Sequence, residues 1–192
     1  MGVFFAIPSF SGEFFTDFLC AIATLVWGFK EREEFMQIIN LIDEDFCNYK
    51  QPSMFIITCK CSFKCDKEAG IDVCQNSALA KSKKIDMPDN KIVERYINNG
   101  ITSAIVFGGL EPLDQFDELC TLIELFRKRT KDPIIIYTGY NEDEIPDQIE
   151  KLKKYKKIIV KFGRFIPNSE HKFDKILGIE LASCNQYAKK IS

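Results

Sequence analysis

Histidine is nearly absent from this sequence, since His171 is the only one among 192 residues. Zinc sites that need two histidines and serine-type catalytic triads, which need a histidine base, are therefore excluded. A surplus of positive charge is also missing, because 26 Lys and Arg stand against 28 Asp and Glu and leave a net charge of −2. The chain thus has no overall basic field, and we expect no nucleic-acid partner.

A long apolar run is missing as well. The uncharged stretch at residues 18–29 is shorter than the roughly 20 apolar residues that span a bilayer. Glu13 and Asp17 precede it and no basic residue comes before Lys30, so it does not have the pattern of an export signal. We expect no membrane partner.

Composition predicts one globular domain over residues 36–192. Residues 1–35, rich in phenylalanine, form an N-terminal extension whose status stays open. It is an upstream extension with Met36 as the working start, an extra packing helix, or a membrane-surface anchor.

Cysteine is the residue left to carry the chemistry. The chain has eight cysteines, but disulfide scaffolds of secreted proteins are usually much shorter. Thiolates that bind a metal in a reducing compartment explain the number better, and we expect a cytoplasmic protein.

Strands and helices alternate from Met36 onward. Apolar runs predict strands at residues 54–58, 103–107, 133–137 and 158–161. Helical spacing predicts a helix over residues 114–129, with Asp114 as its cap, and another over 141–155 whose regular part begins at Pro146. This order is typical of an α/β fold with parallel strands, in which functional loops lie at the carboxyl ends of the strands.

The cysteines are concentrated after the first of these strands. Cys59, Cys61, Cys65 and Cys74 lie within sixteen positions, among lysines and acids that make a packed core there improbable. Thiols in this arrangement favour an iron–sulfur cluster, while a zinc site closed by all four is the rival interpretation.

The second strand ends in the run Gly-Gly-Leu-Glu-Pro at residues 108–112. Glycine has no Cβ, so such a strand end lets the backbone approach a ligand closely. A tight turn before a helix is the alternative reading of the glycine pair.

With these motifs the chain resembles the radical S-adenosylmethionine enzymes, and within them the activating proteins of anaerobic ribonucleoside-triphosphate reductase. The resemblance rests on the spacing Cys61-x3-Cys65, on the Gly-Gly-Leu-Glu-Pro run, on Ile-Tyr-Thr-Gly-Tyr at residues 136–140, and on residues 177–178 and 185–186. It implies an incomplete, open parallel β/α barrel, a 4Fe-4S cluster and S-adenosylmethionine as cofactors.

The resemblance also implies roles for single residues. Cys61, Cys65 and Cys74 would be the cluster ligands. The cofactor would be bound by five residues of the strand-end loops, which are Gly108, Gly109, Glu111, Thr138 and Gly139. The family usually has two residues between its second and third cysteines, whereas this chain has eight, and Cys59 is the alternative third ligand.

The implied activity is reductive cleavage of S-adenosylmethionine that generates a glycyl radical on an anaerobic ribonucleotide reductase. A flavodoxin-like reductant is a further partner that the lysine-rich residues 151–157 could receive. The alternative function is a non-enzymatic cysteine-metal module, either a zinc-stabilised binding domain or an iron–sulfur carrier.

The remaining cysteines and the histidine receive structural interpretations. Cys120 is expected in the core of its helix, and Cys20 and Cys47 in packing. Cys184 is expected to be structural, and His171 to be solvated.

Overall fold

The computed structural model of the chain describes residues 35–192. The interpretation of residues 1–35 and the packing role predicted for Cys20 therefore lie outside the described residues, apart from Phe35. Among the residues described, no helix is long and apolar enough to cross a membrane.

The four predicted strands and two predicted helices are present, and further strands and helices that the sequence analysis did not predict join them. The strands are β1 (Ile38–Asp45), β2 (Ser53–Thr58), β3 (Ala104–Gly109), β4 (Ile134–Tyr137), β5 (Ile158–Phe162), β6 (Lys172–Asp174), β7 (Ile179–Leu181) and β8 (Tyr187–Lys190). The α-helices are α1 (Lys64–Ala69), α2 (Asp89–Asn98), α3 (Phe116–Arg129) and α4 (Pro146–Leu152). Short 3-10 helices occur at Ser77–Lys81, Pro112–Gln115 and Glu142–Glu144.

Six of the strands form one sheet in the order β1-β2-β3-β4-β5-β8. The four strands that the sequence predicts, β2 to β5, pair in parallel, while β1 and β8 pair antiparallel at the two edges. The α/β prediction is confirmed as a mixed fold with a mostly parallel sheet. In the described part of the chain this sheet does not close into a barrel, and β6 and β7 form a separate hairpin.

The two faces of the sheet bury different partners because side chains alternate along each strand. On one face Ile105 and Phe107 pack with apolar residues of the helices, among them Leu122 and Phe126 of α3. On the other face Ala104 and Val106 pack with Leu177 and Leu181 of the C-terminal segment. Helices α2, α3 and α4 therefore cover one face, and the second face is left to the hairpin region and to the site described below.

The first of the two predicted helices begins later than the sequence suggested. Helix α3 starts at Phe116, and Asp114 does not cap it; instead the Glu111 carboxylate accepts from Leu113 N at 3.1 Å, at the start of the short 3-10 helix. The helix predicted over residues 141–155 has its regular part from Pro146, as predicted, and ends at Leu152, three residues before the predicted end. Proline suits this first position because its missing N–H has no partner there in any case.

Candidate functional site

A cavity of about 430 Å³ opens at the carboxyl ends of the parallel strands. It lies on the face opposite helices α2, α3 and α4. Its wall includes Phe55, Ile57, Tyr137 and Lys161, which alternate along their strands with the residues that pack against those helices. The register of the sheet brings these strand ends together, with Tyr137 beside Lys161. This volume is in the usual range for small-molecule and cofactor sites.

Three of the predicted ligands line this cavity: Cys61, Cys65 and Cys74. Cys61 follows β2, Cys65 lies in α1, and all three are partly buried. The turn between the first two is tight, because Phe63 has a left-handed backbone (φ 52°) and its N–H donates to Cys61 Sγ at 3.3 Å. The structure thus brings the three thiols to one place.

Burial raises the pKa of the Cys61 thiol to about 11, and the negative charges of Glu111, Asp114 and Cys74 add to this effect. Burial also raises the pKa of Cys74, against which its hydrogen bond with the Asn76 backbone acts. Without a metal, the thiols of Cys61 and Cys74 are therefore protonated at neutral pH, and a bound metal has to displace their protons.

Cys74 is held by two residues that the sequence analysis missed. The Asp66 carboxylate accepts from Val73 N and Cys74 N through the same oxygen, Oδ1, at 2.8 Å each. On the other side of the cysteine, Asn76 Nδ2 donates to the carbonyl oxygen of Gly109 at 2.7 Å. These bonds fold the eight-residue loop back, so that Cys74 reaches the cavity despite the wide spacing.

The two glycines at the end of β3 have neighbours that leave little room for a side chain. A Cβ on Gly108 would lie 2.9 Å from the Phe55 ring. A Cβ on Gly109 would lie 2.5 Å from Cγ2 of Ile57, and Gly109 also has a positive φ of 88°. Gly109 lines the cavity and Gly108 does not. Packing against β2 is thus a reason for both glycines that the sequence analysis did not foresee.

Glu111 is buried and joins the two strand-end loops. Besides Leu113 N, its carboxylate accepts from Gly139 N at 2.8 Å. Burial raises the pKa of Glu111 to about 7, although the Gly139 N–H opposes that shift. The loops after β3 and β4 are therefore fixed to each other. Of the five predicted cofactor residues, the four that line the cavity belong to these strand ends and loops: Gly109, Glu111, Thr138 and Gly139.

Two cations lie near Cys65 on the side of β5. Lys161 is 8% exposed and lines the cavity, and its Nζ donates to the carbonyl of Gly163 at 3.0 Å. Burial lowers the pKa of Lys161 to about 8, against the opposing negative charges of Glu111 and Cys65. The guanidinium of Arg164 pairs with Glu144 at 2.6 Å. Neither cation was picked out from the sequence, where each is one lysine or arginine among many.

The other cysteines divide differently from the prediction. Cys59 is buried against Ile39 and Leu110 and does not line the cavity. Cys47, expected in packing, is exposed and lies at the cavity wall, which corrects that prediction. Cys120 is only partly buried and lies off the core face of α3, so its prediction as a core residue was wrong.

Two further positions lie away from the cavity. Cys184 is exposed, and its N–H donates to Ser169 Oγ at 3.0 Å. His171 is exposed, as predicted.

The donor set suits a cluster by its chemistry, because iron–sulfur clusters are held by cysteine thiolates. Among residues 35–192, no group of three or more Cys, His, Asp or Glu side chains is arranged to hold a single metal ion. A cluster is wider than one ion, and its ligands stand farther apart around a larger space. The three thiols lie on the wall of one cavity and are not grouped around a single ion position.

Comparison with known protein families matches residues 53–186 to the family model described as 4Fe-4S single cluster domain. The match begins at β2 and includes the cysteine loop and both strand-end loops. Comparisons with curated proteins and with solved structures give no significant match.

Proposed function

Because the chain belongs to the family of 4Fe-4S single cluster domains, we propose that it holds such a cluster through Cys61, Cys65 and Cys74 and uses it to cleave S-adenosylmethionine reductively. The family accounts for the iron–sulfur cluster. The choice of ligands, the second cofactor and the reaction are our proposal, and the resemblance to radical S-adenosylmethionine enzymes motivates them.

The observation that carries this proposal is the composition of the cavity wall. Three thiols lie on it together with the strand-end loops of Gly109 and Gly139. Three thiolates leave one iron of a four-iron cluster without a protein ligand. The same cavity offers free space beside backbone groups, where a small molecule could complete the coordination.

The residues of this chain would bind and orient the second cofactor. Glu111 fixes the β4 loop through Gly139 N, so the backbone around Thr138 is preorganised. Lys161 gives the wall a positive charge that favours an anionic group, such as the carboxylate of S-adenosylmethionine. When bound, the reduced cluster supplies the electron that breaks the bond between sulfonium and C5′, which gives methionine and a 5′-deoxyadenosyl radical.

The open sheet supports a macromolecular substrate. In the described part of the chain the sheet ends at β1 and β8 and does not close on itself. An open side leaves room for a loop of another protein to reach the cavity. We therefore propose that a glycyl-radical enzyme, in particular an anaerobic ribonucleoside-triphosphate reductase, is the partner whose backbone glycine gives up a hydrogen atom.

The test uses protein purified and reconstituted without oxygen, then reduced with dithionite in the presence of S-adenosylmethionine. We expect 5′-deoxyadenosine and methionine in equal amounts, measured by liquid chromatography and mass spectrometry. Cys61→Ala is the control without a cluster and should yield neither product. Lys161→Met should keep its iron but need more S-adenosylmethionine for the same rate.

The outcome that contradicts the proposal is equally specific. If wild-type protein with a full cluster yields no 5′-deoxyadenosine, even in the presence of a candidate reductase, the proposed enzymatic activity is refuted. The protein would then be interpreted as an iron–sulfur carrier. A colourless protein that contains zinc instead of iron would refute the cluster itself.

A further inference from the structure

The loop between Cys65 and Cys74 has almost no apolar contact to hold it. Helix α1, at its start, has no buried residue. Ile71, the apolar residue near its middle, is 67% exposed. Packing therefore cannot fix the path of this loop, and polar contacts have to do so.

Asp66 supplies those contacts at both ends of the turn. Its own carbonyl accepts from Gly70 N at 2.9 Å, which ends α1 with Gly70 in a left-handed conformation. Its carboxylate accepts from Val73 N and Cys74 N. Hydrogen bonds to an ionised acceptor are about twice as strong as neutral ones, and here two of them converge on one oxygen.

The position of Cys74 depends on this tether because the spacing alone leaves it free. A loop of eight residues can close in many ways, and closing it in one way costs conformational entropy. Asn76 bonds to Gly109 beyond the cysteine but leaves the loop before it unconstrained. The two amide bonds to Asp66 fix the cysteine's own backbone.

We propose that Asp66 is a positioning residue that makes Cys74 the third cluster ligand. The inference rests on the proposed function, since it takes Cys61, Cys65 and Cys74 as the ligand set. It explains how a chain with eight residues between its second and third cysteines presents three thiols to one cavity.

The first test measures the tether in the cluster-free protein by amide hydrogen exchange of the segment that contains Val73 and Cys74. In Asp66→Ala these two amides should exchange roughly tenfold faster or more, because hydrogen bonds to a charged acceptor are lost. Asp66→Asn keeps an acceptor oxygen, so its amide exchange rates should lie between those of Asp66→Ala and the wild type. Asp72→Ala is the matched control: it removes the same charge from the same loop, but in the described structure Asp72 makes no side-chain hydrogen bond.

The second test measures cluster retention. Reconstituted proteins are challenged with a chelator without oxygen, and iron loss is followed by absorbance. Asp66→Ala should lose its iron roughly tenfold faster than the wild type, the usual cost of removing a residue that orients a ligand. Asp66→Asn should restore much of the retention, and Asp72→Ala should match the wild type.

Each outcome decides the inference. Unprotected amides at Val73 and Cys74 in the wild type, or equal exchange and iron loss in Asp66→Ala and Asp72→Ala, would overturn it. If the wild type has protected amides at Val73 and Cys74 but takes up no iron, the proposed cluster fails, and the inference fails with it. The two failures are therefore distinguishable.

Discussion

The end of β3 allows a prediction that separates backbone strain from cofactor contact. Gly109 has a φ of 88°, and a Cβ there would lie 2.5 Å from Cγ2 of Ile57. Real Cβ atoms essentially never approach another heavy atom so closely. Gly109→Ala must therefore both strain the backbone and displace the Ile57 side chain.

The two costs can be sized separately. A non-glycine residue in the left-handed region costs about 1–2 kcal/mol, and forcing an extra carbon into a packed site costs about 1–3 kcal/mol. Together we expect Gly109→Ala to lower the free energy of unfolding by about 2–5 kcal/mol. Since a domain of this kind is stable by only about 5–15 kcal/mol, the loss is large.

Urea unfolding of the cluster-free protein measures this loss as a shift of the midpoint. Gly100→Ala is the matched control, because a Cβ there meets nothing within 4 Å and its φ is not in the left-handed region. Its free energy of unfolding should stay within about 0.5 kcal/mol of the wild type. An equal midpoint for Gly109→Ala and the wild type would refute the reasoning.

A second substitution tests where the cost arises. Ile57→Ala removes the methyl group that the new Cβ would meet but leaves the strained φ. The double variant should therefore lose about 1–3 kcal/mol less than the sum of the single losses. If so, weak cleavage of S-adenosylmethionine by a Gly109 variant cannot by itself demonstrate contact between Gly109 and the cofactor.

Cys61→Ala and Cys65→Ala should each abolish cluster assembly while Cys120→Ala keeps its iron, by iron and sulfide analysis; full iron in Cys61→Ala would remove that ligand. Burial raises the pKa of Asp89 to about 6 in the folded protein, so the stability it contributes below its ordinary pKa of 3.8 is lost as the pH rises through 6. Between about pH 5 and pH 8 the wild type should therefore lose about 1 kcal/mol of its free energy of unfolding, whereas Asp89→Asn should not, as measured by urea titrations at each pH. A difference in unfolding free energy between the two proteins that stays constant with pH would contradict the raised pKa. A chain that starts at Met36, which is fully buried, should remain soluble and take up iron, whereas insolubility would show that residues 1–35 are needed.

The centre of the sheet was predictable because its strands are buried on both faces. Such strands appear as short apolar runs, and all four were predicted to within two residues of their observed ends. The edge strand β8 was not predicted. Its sequence, Tyr-Ala-Lys-Lys, is mostly polar, as suits a strand that has a neighbour on one side only.

The site was predictable to the extent that it is determined by residue type and by position at the end of a strand. Cys61, Cys65 and Gly109 meet at one cavity because parallel strands place their carboxyl ends at one edge. Asp66 was not found, since its role depends on the path of the loop and not on a motif. Cys47 was missed for a similar reason: it follows the antiparallel strand β1, whose place in the sheet the sequence did not reveal.

The sheet also bears on where an electron enters the site. The lysine-rich residues 151–157 lead into the amino end of β5, where the carbonyl of Lys157 accepts from Ile134 N. Lys161 lines the cavity four residues farther along the strand, about 13 Å away at 3.3 Å per residue. A reductant docked on the lysine-rich segment would thus stand a strand's length from the thiols. The side chain of Lys64, the sequence neighbour of Cys65, is 43% exposed, so the cysteine loop itself reaches solvent and offers a reductant a second approach.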